Sequence, residues 1–227
     1  MNRLRVIEAL YRYPATSKSD LANRTGLSRS TISSLVEELG RAGVVRRGTI
    51  GPFTSPAVGR PAQLLSLVHD AGFAVGLDFG HQHIKVAVCN LAGTPLIEVS
   101  SSADVDTGPK ESLDLAYHLI RTAMNDAGIA RDRLLGVGMG LAAPIDSATG
   151  ELHANGILPR WHGVMPAAEM EARVGVRVQL ENDANVGALG EKVFGVARDI
   201  DDLIYILYSA GIGAGIILGG RLHRGAT

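Results

Sequence analysis

The chain has 227 residues, of which 46% are hydrophobic and 20% charged, with a formal net charge of −1. This composition is typical of a globular protein with a buried core and excludes a disordered or collagen-like chain. The single cysteine, Cys89, excludes an internal disulfide. The sequence contains no run of about eighteen apolar residues, the length that a membrane span needs. Its amino terminus, MNRLRVIEAL, lacks the uninterrupted apolar block of a signal peptide, so we expect a cytoplasmic protein.

Charge is divided unevenly along the chain. Residues 1–70 contain ten lysines or arginines and five acidic residues, whereas residues 71–227 contain twelve and eighteen. A basic amino-terminal part followed by an acidic remainder favours contact with phosphates only at the amino-terminal end of the chain. We therefore predict two domains, a basic amino-terminal domain over 1–70 and an acidic domain over 71–227.

Residues 17–47 have the spacing of a helix, a tight turn and a second helix. Ser17 or Ser19 can cap the first helix, and Gly26 suits the positive φ of a sharp turn. Ser28 can cap the second helix. Four apolar residues of that helix, at i, i+3, i+4 and i+7, form one buried stripe: Ile32, Leu35, Val36 and Leu39. The alternative is an ordinary helical hairpin with a polar outer face.

The outer face of the second helix carries short hydroxyl side chains and one arginine, which suit base edges and phosphates in a major groove. A strand from Val44 that returns over 63–68 predicts a wing. Within the wing, Gly59-Arg60-Pro61 holds an arginine extended for a narrow minor groove. The predicted DNA-binding residues are Ser28, Arg29, Ser30, Thr31, Ser33, Ser34, Arg46, Arg47 and Arg60.

From Phe73 onward, strands and helices alternate, which predicts an α/β body with a largely covered sheet. An antiparallel meander opens it. The predicted strands are 74–80, 84–90, 96–100, 133–140, 176–180 and 202–208, and the predicted helices are 111–127, 166–174 and 184–194.

Four segments of the body could carry chemistry. Asp78-Phe79-Gly80 ends a strand, where the carboxylate could meet a metal-bound phosphate or only cap a turn. The small residues of 138–146 would let a ligand approach the backbone. In Glu181-Asn182-Asp183, Asp183 can cap a helix or accept a proton from a hydroxyl, and Asn182 can bind a polyol. The glycines of 209–215 offer N–H groups to an anion.

Taken in order, these motifs resemble the ROK family (repressor, open reading frame, kinase), and in particular its transcriptional regulators. The likeness runs from about residue 6 to 227. It rests on the helix-turn-helix, GRPAQLLSL at 59–67, GLDFG at 76–80, ENDANVGALGE at 181–191 and SAGIGAGIILGGRLHRGA at 209–226. It implies an α/β fold class: a winged helix-turn-helix followed by an actin/hexokinase-like (ribonuclease H-like) sugar-kinase-type domain.

The resemblance also implies roles for individual residues. Asp183 matches the catalytic base of the family's kinases, Asn182 a ligand of a sugar hydroxyl, and Asn155 an asparagine near the sugar. The residues left as residual phosphate loops are Asp78, Gly80, Gly211 and Gly213. His81-Gln82-His83 stand where the kinases carry glycine-glycine-threonine, and Ser209-Ala210 stand where they carry glycine and threonine. This departure predicts a sensor that kept the sugar site and lost phosphoryl transfer.

The family continues with a Glu-x-Gly-His sugar motif and a cysteine-rich zinc site, and residues 1–227 contain neither. We expect a fragment or a truncated chain with an incomplete second lobe, no metal, and neither zinc nor ATP as cofactor.

The predicted function is a carbohydrate-responsive transcriptional regulator, taken to be a repressor. It would bind double-stranded operator DNA as a homodimer or higher oligomer, with a sugar or sugar phosphate as effector. One alternative is an ATP-dependent sugar kinase with Asp183 as general base. Another is a DNA-binding protein that senses nothing.

Overall fold

The structure, a computed structural model, describes residues 2–48, 63–106, 108–146, 149–152 and 156–225. Two predicted site residues, Arg60 and Asn155, lie outside the described residues. The chain divides into two compact units, residues 1–72 with 90–92, and residues 73–89 with 93–227. Within the described ranges, no helix is both long enough and apolar enough to cross a membrane.

The first unit is a three-helix bundle with a small sheet. Its elements are α1 Asn2–Arg12, β1 Thr16–Ser17, α2 Lys18–Thr25, α3 Arg29–Arg41, β2 Val45–Gly48 and β3 Leu64–Leu67. The strands pair antiparallel in the order β1-β3-β2. The helix, turn and helix predicted over 17–47 and the returning strand are all present. Helix α1 and strand β1 are additions that the sequence patterns did not indicate.

Helix α1 completes the core of this unit. Its Val6 and Leu10 are fully buried and share one cluster with Leu21 of α2, Ile32 of α3 and Leu65 of β3. Each of the three helices thus buries one apolar stripe against the other two and the sheet. The position of α3 is fixed by this shared core, so its opposite face is left to solvent.

The second unit holds eight strands and three helices within the described ranges. They are β4 Phe73–Gly80, β5 His83–Asn90, β6 Pro95–Ser102, α4 Pro109–Asp126, β7 Leu134–Leu141, α5 Pro166–Val174, β8 Val178–Asn182, α6 Asp183–Val193, β9 Leu203–Tyr208, β10 Ile212–Leu218 and β11 Arg221–His223. They form a five-stranded sheet of order β6-β5-β4-β7-β8 and an antiparallel sheet of order β11-β10-β9. The predicted opening meander corresponds to β4, β5 and β6.

Strand β4 is the centre of the larger sheet. Its alternate residues Phe73, Val75, Leu77 and Phe79 are buried and belong to the core that includes residues of α4. Strands β4, β7 and β8 run parallel, so their carboxyl ends meet at one edge of the sheet. That edge therefore collects Asp78 from β4 and Asn182 from β8.

The ends of two elements differ from the prediction in ways that concern the site. Strand β8 runs two residues beyond the predicted end, so Asn182 is the last strand residue and Asp183 the first of α6. The predicted glycine loop over 209–215 is shorter, because β10 begins at Ile212. Gly213 pairs with Leu207 in the strand ladder and is not in the turn.

Candidate functional site

The turn between α2 and α3 is held by glycine and hydroxyl contacts. Gly26 has φ +66°, and its N–H donates to the Ala22 carbonyl at 2.9 Å. The Thr25 hydroxyl donates to the Leu21 carbonyl at 2.6 Å. At the start of α3, the Ser28 hydroxyl accepts from the Thr31 N–H at 3.1 Å, which is the predicted N-cap. These contacts fix the direction in which α3 leaves the turn.

The exposed face of α3 contains most of the predicted DNA contacts. Arg29, Ser30, Ser33 and Ser34 are exposed and Thr31 is half-buried. Arg46 and Arg47 are exposed on β2, the strand that follows α3 in the chain. The exposed face of α3 thus offers hydroxyl donors and acceptors together with Arg29, and β2 adds Arg46 and Arg47. These groups are chemically suited to phosphates and base edges.

Ser28 differs from the other predicted DNA contacts. Its hydroxyl lies 2.8 Å from the hydroxyls of both Ser30 and Thr31, besides accepting the Thr31 N–H. A hydroxyl has one donor and two acceptor positions, so these three contacts use its capacity. Ser28 therefore shapes the start of α3, while Arg29 and the serines beyond it face outward.

In the second unit, Asn182 organises the turn from β8 into α6. Its Oδ1 accepts from the N–H groups of Ala184 and Asn185, at 3.0 and 3.2 Å, as an N-cap. Its Nδ2 donates to the Ala143 carbonyl at 3.2 Å and to Asp183 Oδ1 at 3.1 Å. All four hydrogen-bonding positions of the amide are occupied within the protein. In this state Asn182 holds the turn, and ligation of a sugar hydroxyl would require one of these bonds to exchange.

Asp183 follows directly, at the first position of α6. Its Oδ1 accepts from the Ala184 N–H at 2.8 Å as well as from Asn182 Nδ2. Both of these hydrogen bonds use Oδ1, which orients Oδ2 as the second oxygen of a half-buried carboxylate. A carboxylate held in this way can accept a hydrogen bond from a hydroxyl group.

The end of β4 is covered by a histidine. His83 Nε2 lies 3.1 Å from Asp78 Oδ2. A Cβ atom placed on Gly80 would fall 2.7 Å from each ring nitrogen of His83, so the imidazole lies directly against the Gly80 backbone. The His83 side chain therefore contacts both residues of the predicted first phosphate loop, Asp78 and Gly80.

A second imidazole–carboxylate pair lies beside the first. His81 Nδ1 is 2.8 Å from Asp106 Oδ1, in the segment that follows β6. These residues line an open cleft of about 920 Å³, together with Gln82, Asp104, Gly156 and the turn at 210–212 between β9 and β10. The described lining contains no lysine or arginine. Within the described ranges, this cleft included, no group of three or more His, Cys, Asp or Glu side chains could hold a metal ion.

Gly211 and Gly213, predicted to belong to one phosphate loop, lie in different places in the structure. Gly211 lies in the β9–β10 turn on the cleft, where its carbonyl accepts from the Ser209 N–H at 2.9 Å. Gly213 is in β10 and faces α6, because a Cβ there would fall 3.1 Å from the Ala184 Cβ. Gly213 thus allows close packing of α6 on β10, and only Gly211 of the two borders the cleft.

Sequence patterns named His83 only as a departure from the kinases, and they gave no role to Glu181 or Arg224. Glu181 Oε1 accepts from Asn185 Nδ2 at 2.9 Å, and its Oε2 accepts from Arg224 Nε at 2.8 Å. Arg224 is 43 residues away in the chain. The acid in ENDAN is visible in the sequence, but its basic partner is not, because the two meet only in the folded chain.

The comparisons with known proteins match both units. Residues 74–227 match the ROK family and residues 2–46 match a winged helix-turn-helix DNA-binding family. The chain is 30% identical over 228 residues to the xylose repressor of Caldicellulosiruptor bescii, covering 100% of this chain and 56% of that protein. The chain thus spans little more than half the length of the curated relatives it matches.

Two solved structures show the fold. One is a ROK family transcriptional regulator that is a homologue of the E. coli MLC protein. It has a TM-score of 0.80 and 24% identity, and the match covers 99% of this chain and 56% of that one. The other is a ROK family glucokinase from Streptomyces griseus in complex with glucose and AMPPNP. It has a TM-score of 0.56 and 31% identity, and the match covers 68% of this chain and 47% of that one.

The predicted fold class is confirmed: a winged helix-turn-helix precedes a sugar-kinase-like α/β domain. Because the family match covers more than half of the residues, the assignment extends to the chain itself. This chain belongs to the ROK family and carries a winged helix-turn-helix unit at its amino end.

Proposed function

We propose that this chain is the DNA-binding and sugar-sensing part of a transcriptional repressor of carbohydrate genes. The observation that carries the proposal is the exposed face of α3, with Arg29 and a row of hydroxyls, on a chain whose other unit is a ROK domain. Relatives named xylose repressor match the whole length of this chain and support the same conclusion.

We further propose that the ROK domain binds an effector and does not transfer phosphate. His83 covers the Gly80 backbone and bonds Asp78, so a nucleotide phosphate would have to displace the imidazole from both residues. The residues at the end of β4 thus do not fit a nucleotide in this conformation. The contacts of Asp183 support a hydrogen-bonding role toward a sugar hydroxyl instead.

Charge in the cleft favours an uncharged sugar over a sugar phosphate. The described lining holds two carboxylates, those of Asp104 and Asp106, against the single imidazole of His81. A phosphate group placed among these residues would meet a net negative field with no arginine or lysine in the described lining to offset it. Glucose should therefore bind more tightly than glucose 6-phosphate.

The DNA partner would be a two-fold operator bound by two copies of the chain. A pair of α3 helices related by two-fold symmetry reads half-sites separated by a whole number of helical turns. This arrangement also gives the effector a means of action, because a ligand that favours one conformation changes the population that fits the operator.

The test is selection of a binding site from random DNA with the 227-residue chain, followed by footprinting and addition of single sugars. We expect a symmetric site, release by at least one unphosphorylated sugar, and a loss of roughly tenfold or more in affinity for Arg29→Ala. Arg12→Ala, an exposed arginine on α1 of the same unit, is the matched control and should retain specific binding.

A coupled phosphorylation assay on a set of hexoses gives the opposing outcome. ATP-dependent turnover that Asp183→Asn abolishes would establish a sugar kinase and overturn the proposal that the ROK domain only senses. DNA binding that no sugar changes would leave a DNA-binding protein without an effector.

A further inference from the structure

Arg224 joins the two sheets of the second unit at the candidate effector site. It follows β11 of the small sheet, and its Nε donates to the Oε2 of Glu181, near the end of β8 in the large sheet, at 2.8 Å. The side chain of Glu181 is 13% exposed and that of Arg224 is 46% exposed. The acid is thus nearly enclosed, while its basic partner reaches it from the surface.

Glu181 transmits this contact into the turn that follows it. Its Oε1 accepts from Asn185 Nδ2 at 2.9 Å and from the Asn182 N–H at 3.1 Å. A carboxylate removed from water needs its hydrogen-bond donors and a counter-charge to remain ionised in place. Loss of the guanidinium would therefore leave Glu181 without its counter-charge and cause it to turn toward solvent, which weakens its hold on both asparagines.

The turn has little freedom to absorb such a shift. The side-chain amide of Asn182 is fully used in bonds to α6, to the Ala143 carbonyl and to Asp183. Movement of Glu181 would therefore be passed to Asn182 and then to the carboxylate of Asp183. Loss of an exposed ion pair with no such connection would leave the turn unchanged.

We propose that Arg224 is a positioning residue for the effector site, which acts through Glu181 to hold Asn182 and Asp183 in the geometry that receives a sugar. The positioning itself follows from the contacts. Its consequence for a sugar rests on the proposed function.

Amide hydrogen exchange in the 227-residue chain, followed residue by residue by NMR, tests the positioning. Arg224→Gln should raise exchange at Ala184 and Asn185 about tenfold, because their N–H groups donate to Asn182, while amides of α4 keep their rates. Arg224→Lys, which keeps the charge and a donor, should restore most of the protection. Arg173→Gln is the matched control, because it removes an ion pair with Asp114 at 2.9 Å elsewhere in this unit.

Three results would overturn the proposal. They are unchanged exchange at Ala184 and Asn185, an equal rise at all amides as in global destabilisation, or the same local rise in Arg173→Gln.

Titration with D-xylose and D-glucose forms the second arm. Affinity should fall about tenfold in Arg224→Gln and return in Arg224→Lys, and an unchanged affinity would contradict the proposed link to the ligand. If the unmodified chain binds neither these sugars nor others, the proposed sugar response fails, whereas the exchange rates still decide whether Arg224 positions the turn.

Discussion

Single polar side chains at helix starts define the turns that carry both candidate sites of this protein. Ser28 before α3 and Asn182 before α6 have the same role, each accepting backbone N–H groups of the helix that follows. Both lie beside the residues with the candidate chemistry, Arg29 in one case and Asp183 in the other. At the scale of the residue, the cap therefore orients the group that would meet the ligand.

Replacement of Ser28 should show how much its capping hydrogen bond contributes to the stability of the first unit. Ser28→Ala removes the acceptor of the Thr31 N–H and should lower the free energy of unfolding of the first unit by about 1 kcal/mol. Ser28→Asp keeps a capping oxygen and should retain stability. Urea titration followed through NMR signals of this unit measures both variants. Equal stability of Ser28→Ala and the unmodified chain would contradict the cap.

Cys89 offers a prediction about pH. Burial raises the pKa of its thiol above the ordinary value of 9.0, and the negative charge of Glu98 on the neighbouring strand raises it further. The thiol is therefore protonated near neutral pH. Its alkylation should be slow there and should accelerate as the pH rises through the raised pKa.

The rate of alkylation of Cys89 by iodoacetamide, measured from about pH 7 to about pH 10, tests this. The urea-unfolded chain is the reference and should react faster at every pH below the raised pKa. Glu98→Gln should shift the profile to lower pH. A folded chain that reacts at neutral pH as fast as the unfolded one would show that the thiol is not protected.

At the scale of the element, the packing of α6 on β10 depends on glycine. Gly213 and Gly215 of β10 face Ala184 and Ala188 of α6, and a Cβ on Gly215 would lie 2.7 Å from the Ala188 Cβ. Side chains at these strand positions would push α6 outward. Because α6 begins with Asp183, this close contact also sets the depth at which the candidate site sits.

Gly215→Ala should therefore destabilise the second unit by about 1–3 kcal/mol, since the added methyl group meets the backbone of α6. Gly190→Ala is the contrasting change within α6, where a Cβ meets nothing within 4 Å, and it should stabilise the helix by about 0.5–1 kcal/mol. Thermal unfolding of the two variants would give opposite shifts. A tolerated Gly215→Ala would mean that α6 and β10 are not in such close contact.

At the scale of the whole chain, net charge differs between the two parts of the sequence. The first 70 residues carry a formal excess of five positive charges and the remainder an excess of six negative ones. We expect the acidic body to repel DNA and the phosphate contacts to fall on the basic unit, so that DNA binding is restricted to one end of the sequence.

Salt dependence gives a measure of this division. The affinity for DNA should fall linearly on a log–log plot as salt rises, and Arg46→Ala or Arg47→Ala should each reduce the slope by about 1. Arg121→Ala, in α4 of the body, should leave the slope unchanged. Fluorescence anisotropy over a salt series measures the slopes. An equal effect of Arg121→Ala would place DNA contacts on the body as well.

Sequence patterns predicted the helix-turn-helix well because its signals are local. Two caps, one glycine and an apolar stripe all fall within 17–47, and each acts through neighbours in the chain. The order of strands and helices in the body was likewise visible from periodicity. Helix α1 was missed, because its Val6 and Leu10 have no capping signal and acquire meaning only from the core shared with α2 and α3.

The sequence by itself determined the fold class, the division into a basic and an acidic part, and the turns that carry Arg29 and Asp183. Only the tertiary structure decided which distant side chains meet at the candidate site. His83 meets Asp78 across a hairpin, and Arg224 meets Glu181 from another sheet, because strand pairing and helix packing bring distant residues together. Local propensity acts over a few residues, whereas hydrogen bonds between sheets exist only once the chain has folded.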